Sequence, residues 1–229
     1  MSGIGRAPEA EVAETTLGID LASQDGKTAA CVVSWGAVVE IELARAGIGD
    51  AYLEELMRGA DKVGIDVPLG WPLRFVEALT SYMSGGAWVP EHTDPALRLR
   101  QTDRYVAIER GRHVLSVSTD RIAIPAMRAA KLLSSVDGAF DRTGGGKVVE
   151  VYPAASLKAW GFRPDRYKGT KGRAVREKLV NDFAEAAAEW VTITDEHKTA
   201  CIDDDNVFDA LICALTARAA QLGRCDPVP

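Results

Sequence analysis

The sequence predicts an α/β fold built on a five-stranded mixed sheet with flanking helices, and three observations predict it. Two short apolar runs, Leu17–Asp20 and Val63–Asp66, each pass through Gly-Ile and stop abruptly at an aspartate. Between them lie two β-rich stretches and one amphipathic helical stretch, the order expected of an antiparallel meander followed by a crossover. A long Ala- and Leu-rich helical run, preceded by a cluster of aspartates, closes the pattern.

A short apolar run closed by a charge and then by turn chemistry reads as a buried strand whose carboxyl end carries that charge to the rim of a sheet. Leu17–Asp20 is the first such strand. Residues 1–15 before it lack an apolar h-region and are expected to form a flexible terminus rather than a signal peptide. Asp25-Gly26 is a hairpin signal, so Thr28–Trp35 reads as a second strand and Ala37–Leu43 as a third, with Glu40 and Glu42 alternating outward. Gly49-Asp50 opens a helix through about Gly59, with Asp50 as N-cap and Leu53, Leu56 and Met57 at helical spacing. Val63–Val67 is the fourth strand, and its return beside the first is the right-handed parallel crossover.

Pro68 to about Gly146 is the least periodic part of the chain, with helices expected near Leu73–Ser84 and Ile124–Ser134. It reads as an insertion of about residues 72–146, because no linker-like stretch bounds it. Its charged cluster Arg98–Arg104 is followed by Glu109, Arg110 and Arg112. Gly144–Gly146 lacks the spacing of a phosphate-binding loop and reads as a flexible turn. Lys147–Tyr152 is the last strand, and Pro153 starts a short helix to Trp160 with Gly161 beyond its end. A basic loop then leads to a helix over Arg173–Trp190, and Asp203–Asp205 lead into a final helix to about Leu222. One domain over 16–222 with a C-terminal tail at 223–229 follows.

Composition narrows the function. With 229 residues and a net charge of −6, the chain has room for a real core and is no overall magnet for polyanions or acidic membranes. Its cysteines form no C-x-x-C pair and its three histidines give no zinc signature, so reduced thiols and a cytoplasmic location are expected. No apolar run approaches membrane-spanning length.

The chemistry concentrates in acids. Were the first and fourth strands neighbours, Asp20 and Asp66 would lie about 5–10 Å apart. Like charges that close call for a cation or a shared proton between them. The alternative is that each aspartate only caps the following segment. In the last helix Phe208, Leu211, Leu215, Ala219 and Leu222 fall in an arc of roughly 80°, with Asp205 and Asp209 just beyond its edge and partly buried. Asp204, or else Asp203, is expected to cap this helix, whereas Asp209 lies too far in to be a cap.

Glu150 either joins the acid cluster or pairs with an Arg or Lys of the insertion. Residues Lys158–Lys178 are strongly basic, Arg176 among them, with Trp160, Phe162 and Tyr167 interleaved. They suit phosphate contact and base stacking, or else form a solvated helix face and loop. Arg100, Thr102 and Asp103 either line the same cleft or form a capping and salt-bridge knot. The histidines and the five tryptophans have no assigned chemistry, and the tryptophans are expected to pack.

This order of elements matches the ribonuclease H architecture, a mixed sheet of strand order 3-2-1-4-5. The phrases Gly18-Ile-Asp20, Gly64-Ile-Asp-Val-Pro-Leu-Gly70, Arg100-Gln-Thr-Asp103, Glu150-Val-Tyr-Pro153, Tyr167-Lys168 and Asp209–Ala217 together resemble the family named domain of unknown function 429. Its members are predicted ribonuclease H-like nucleases, and the resemblance spans roughly residues 16–220. By position it implies Asp20, Asp66 and Asp209 as catalytic acids holding Mg²⁺ or Mn²⁺, although many members of the wider superfamily carry glutamate where this chain has Asp66.

Glu150 and Asp205 are further candidate metal ligands, and Arg100, Asp103, Tyr167, Lys168 and Arg173 are candidate substrate contacts. Two such ions about 3.5–4 Å apart activate a water and stabilise the leaving oxygen of a phosphodiester, and the chemistry needs no catalytic histidine. The expected function is therefore that of a metal-dependent nuclease acting on nucleic acid or a nucleotide. Two alternatives are an actin-like nucleotide phosphotransferase, for whose second domain this length leaves little room, and a non-catalytic binding module of the same fold.

Overall fold

The computed structural model describes residues 14–109, 111, 114–135, 141 and 143–225. Residues 1–13, Arg110, Arg112, His113 and the last four residues of the expected tail lie outside them. Five strands form one mixed sheet: β1 (Glu14–Asp20), β2 (Ala29–Trp35), β3 (Val39–Ala46), β4 (Lys62–Asp66) and β5 (Val148–Glu150). Their order is β3-β2-β1-β4-β5, as expected. The first three form the antiparallel meander, β4 runs parallel to β1, and β5 runs parallel to β4. The helices are α1 (Asp50–Gly59), α2 (Leu73–Met83), α3 (Gln101–Glu109), α4 (Ala123–Ser135), α5 (Pro153–Ala159), α6 (Arg173–Ala187), α7 (Asp195–Asp203) and α8 (Asp205–Gln221).

Strand alternation divides the core in two. Leu17, Ile19, Val63 and Ile65 turn to one face and pack with Leu53 and Met57 of α1 and with Ala129 and Leu132 of α4. Ala29, Cys31 and Val33 turn to the other, against α5, α6, α7 and α8. Full burial of each Leu or Ile contributes about 1.5–3 kcal/mol, so the sheet is held as the middle of three layers.

The glycines of the two Gly-Ile-Asp strands explain how α8 is seated. Gly18 and Gly64 are register partners. A Cβ on Gly18 would stand 1.9 Å from the carbonyl oxygen of Ala210 and 2.2 Å from the nitrogen of Ala214; one on Gly64 would stand 2.3 Å from the carbonyl oxygen of Cys213. Helix backbone therefore rests directly on sheet backbone, and Ala210 and Ala214 are the small helix residues that allow it. Consequently α8 is buried from Val207 through Leu215 on every side, not along a narrow arc. Leu222, expected at the end of that arc, is 47% exposed, while Asp209 is fully buried.

Several local expectations change. The first strand begins at Glu14, so residues 14 and 15 belong to the sheet rather than to a flexible terminus; Thr15 N donates to Asp61 at 2.7 Å. The last strand ends at Glu150, ahead of Pro153, which opens α5. Among the described residues the insertion, Val67 to Lys147, holds three α-helices. Two helices escaped the sequence reading, α3 and α7, because each buries a single residue, Asp103 and Cys201, and shows no apolar stripe. Correspondingly, α6 ends at Ala187.

Gly49, not Asp50, occupies the N-cap of α1; Asp50 sits in the first turn and accepts from Arg128 Nε at 2.7 Å. Asp204 does cap α8, accepting from Asn206 N at 2.9 Å. The glycine turn is pinned rather than flexible, since the buried Lys62 ammonium donates to the carbonyls of Gly144 and Gly146. Trp35 stacks on Trp190 and Trp160 on Phe183, in keeping with packing roles. Among the described residues no helix is long and apolar enough to cross a membrane.

Candidate functional site

β1 and β4 are paired Asp20 to Asp66, so both carboxylates leave the sheet at the same end and on the side of Gly18 and Gly64. That is the side on which α8 lies, and the start of its second turn brings Asp209 to them. One carboxylate oxygen from each of the three lies within 4.8 Å of the others. Asp209 has 0% of its surface exposed, whereas Asp20 and Asp66 are half-buried.

Two neighbours hold Asp209. The Tyr167 hydroxyl donates to its Oδ1 at 2.6 Å, and the Lys168 ammonium stands 2.5 Å from its Oδ2 and 3.9 Å from Oδ2 of Asp66. The contact with Oδ2 is an ion pair without the alignment of a hydrogen bond, which leaves that buried oxygen short of a directed donor. Burial, followed by repulsion from Asp66 and Asp209, pushes the Asp20 carboxyl well above the usual range. Burial likewise raises Asp209 and lifts Asp66 to about 7, with Lys168 opposing both shifts. For Lys168 itself burial works against the charged form. The carboxylates of Asp209, Asp66 and Asp20 outweigh it and hold the ammonium well above its ordinary pKa.

Arg176 positions this lysine. Its guanidinium, 2% exposed, donates to the carbonyls of Tyr167 at 2.7 Å, Gly169 at 3.2 Å, Ile202 at 2.9 Å and Asp203 at 3.3 Å. The backbone on both sides of Lys168 is thus tied to the junction of α7 and α8. The expectation of Arg176 as part of a substrate-facing basic stretch is corrected. A signal for this existed: Arg176 shares its helix face with Leu179, Val180 and Phe183, which is the buried stripe of α6.

Glu150 and Asp205 do not join the three aspartates. Glu150 is the register partner of Ile65 and so leaves the sheet on the face opposite Asp66. There both its oxygens accept from Arg100 at 2.7 Å, and Leu69 N donates to it at 2.9 Å, which is the ion-pair alternative. Asp205 accepts from Gly169 N at 3.1 Å and lies 3.6 Å from Arg176.

Arg100 also binds Asp103, whose carboxylate reaches back to Arg100 N at 2.8 Å, half of a capping box at the start of α3. Both features anticipated for this cluster occur together, because the knot lines the same cleft as Asp20 and Asp66. Of the other expected substrate contacts, Tyr167 is buried beneath the acids and Lys168 stands among them. Arg173 pairs with Asp203 at 2.7 Å and Glu177 at 3.6 Å. Trp160 and Phe162 pack on Phe183 rather than standing free as a stacking platform.

The cleft has a volume of about 900 Å³, and exposed Arg166, a neighbour of the Tyr167-Lys168 pair, lies in its wall. Arg166 belongs to the basic stretch Lys158–Lys178 that the sequence offers for phosphate contact, and unlike Arg176 of the same stretch it is exposed in the cleft wall. It is the one described non-glycine residue with positive φ, 61°, a conformation kept only where surroundings impose it. The chemistry of the pocket suits a hard cation. Its donors are all carboxylate oxygens, three of them converge, and one buried oxygen has no directed donor.

The family model described as "Protein of unknown function (DUF429)" matches residues 18–229. No curated protein and no solved structure matches the chain significantly.

Proposed function

The chain belongs to the DUF429 family, and from that premise we propose that it is a metal-dependent phosphodiesterase of ribonuclease H-like fold, acting on nucleic acid or a nucleotide. The observation that carries this reading is the convergence of Asp20, Asp66 and Asp209, from two strands and a helix far apart in sequence, into one pocket open to a cleft. Structural acids spread out or pair with arginine; these three crowd together at a cost in burial and mutual repulsion, which makes functional sense where a cation is bound. The sheet order 3-2-1-4-5 supports the same fold.

Asp20 and Asp66 would hold a divalent Mg²⁺ or Mn²⁺ from the cleft side and Asp209 from the helix side. When bound, such ions supply an activated water and neutralise charge on the leaving oxygen of a phosphodiester. The protein's own share is to keep the three carboxylates fixed: Tyr167 orients Asp209, and the strand pairing fixes Asp20 against Asp66. Exposed Arg166 gives the cleft wall a cation for a phosphate.

Calorimetric titration with Mn²⁺ and cleavage of single-stranded and duplex oligonucleotides test the proposal. Wild-type protein is expected to bind and cleave, and Asp20→Asn and Asp66→Asn to lose both by about a hundredfold or more. Divalent binding that survives in Asp66→Asn, or cleavage that needs no divalent ion, sinks it.

A further inference from the structure

Lys168 is set apart from the other cations of the cleft by lying inside the acid cluster. Its ammonium spans Asp209, at 2.5 Å, and Asp66, at 3.9 Å. Asp20, Asp66 and Lys168 all line the cleft, while Asp209 is wholly buried, so the lysine covers the deepest acid on the cleft side.

We infer that Lys168 is the built-in counter-cation of the metal-free pocket, and that a divalent ion binds Asp66 and Asp209 only by displacing its ammonium. This rests on the metal-site reading above. Mg²⁺ and Mn²⁺ sit about 2.0–2.2 Å from carboxylate oxygens. An ion at that distance from Asp209 Oδ2 and Asp66 Oδ2 overlaps the space now held by the ammonium and repels it.

Lys168 can leave without refolding its surroundings. The carbonyls of Tyr167 and Gly169 on either side are held by Arg176, so the backbone stays while the side chain turns. That side chain is 52% exposed, and its flexible stem swings the ammonium into the cleft by rotamer change alone. Displaced, it remains in the cleft wall as a cation free to meet an anionic substrate. Arg100 could not act in this way, because its planar fork is fully engaged by Asp103 and Glu150.

The test is Mn²⁺ titration of the whole chain as wild type, Lys168→Met and Lys168→Arg, with thermal midpoints measured in EDTA and in Mn²⁺. Lys168→Met is expected to bind Mn²⁺ at least about tenfold more tightly, to melt lower in EDTA, and to gain more from Mn²⁺ than wild type does. Lys168→Arg, which keeps the charge, is expected to bind no more tightly than wild type. Should Lys168→Met fail to fold, Lys168→Gln, which retains a donor toward Asp209, carries the same expectation. Unchanged or weaker Mn²⁺ affinity in the neutral variants overturns the displacement while leaving the metal site standing. No Mn²⁺ binding in any variant overturns both.

Discussion

At one end of the cleft Asp103 and Glu150 share Arg100; at the other, Asp66 and Asp209 share Lys168, with Asp20 beside them. The guanidinium gives every carboxylate oxygen of its two partners a donor, at 2.7–3.0 Å. An ammonium is a point charge, and here it stands between two carboxylates and leaves Oδ2 of Asp209 without an aligned donor. The first group is saturated and works as a brace, fixing β5 to the insertion. The second has more converging carboxylate oxygens than directed donors, which is the observation the proposed metal site rests on. The two acidic groups therefore differ not in acidity but in the ratio of directed donors to carboxylate oxygens.

Removing the brace is expected to have the largest effect on stability. Arg100→Ala leaves Asp103 and Glu150 largely buried without their partner, and should lower unfolding stability in urea by about 3–5 kcal/mol. Mn²⁺ affinity of the folded variant should stay within a few-fold of wild type. A collapse of Mn²⁺ binding with little loss of stability would merge the two groups and break the distinction.

Gly18→Ala acts next. The added methyl meets the backbone of Ala210 and Ala214, not a movable side chain, so α8 must shift, at about 1–3 kcal/mol. Because α8 carries Asp209, Mn²⁺ binding should weaken in parallel. Stability lost with Mn²⁺ affinity intact would show that the triad does not depend on the seating of the helix.

The smallest effect expected is a pH dependence peculiar to the second group. Asp20, Asp66 and Asp209 all have folded-state pKa values above those of an unfolded chain, Asp66 at about 7. The folded protein therefore binds more protons than the unfolded one between about pH 4 and pH 7, and this group's contribution falls as pH rises through that window. Thermal midpoints in EDTA should be lower at about pH 8 than at about pH 5.5, and Mn²⁺ should restore more at the higher pH. A midpoint in EDTA that rises with pH would place the three carboxylates in a neutralised environment like that of Arg100.

Much of the site was legible because strand signals are local. Leu-Gly-Ile-Asp and Val-Gly-Ile-Asp each announce a buried strand with an exposed-end acid, and Asp209 announced itself by standing too deep in its helix to be a cap. The reach of burial was not legible. A wheel drawn on α8 assigns a narrow apolar arc, yet Gly18 and Gly64 let the helix sink onto the sheet until its polar edge was enclosed too. Helices α3 and α7 were missed since their stability comes from caps and neighbours such as Thr194, which accepts from His197 N, and not from an apolar stripe.

By itself the sequence determined the meander and the crossover, Asp20 and Asp66 at strand ends and Asp209 inside the last helix, because each follows from residue patterns within a few positions; the strand order came with the architecture those elements resemble. Tertiary structure alone decided which cation each acid meets. Glu150 and Arg100 lie 50 residues apart and Tyr167 and Asp209 lie 42 apart. Charge pairing acts over a few ångströms of space and is blind to distance along the chain, so Lys and Arg look interchangeable in the sequence until the fold brings one to a saturated brace and the other to an open pocket.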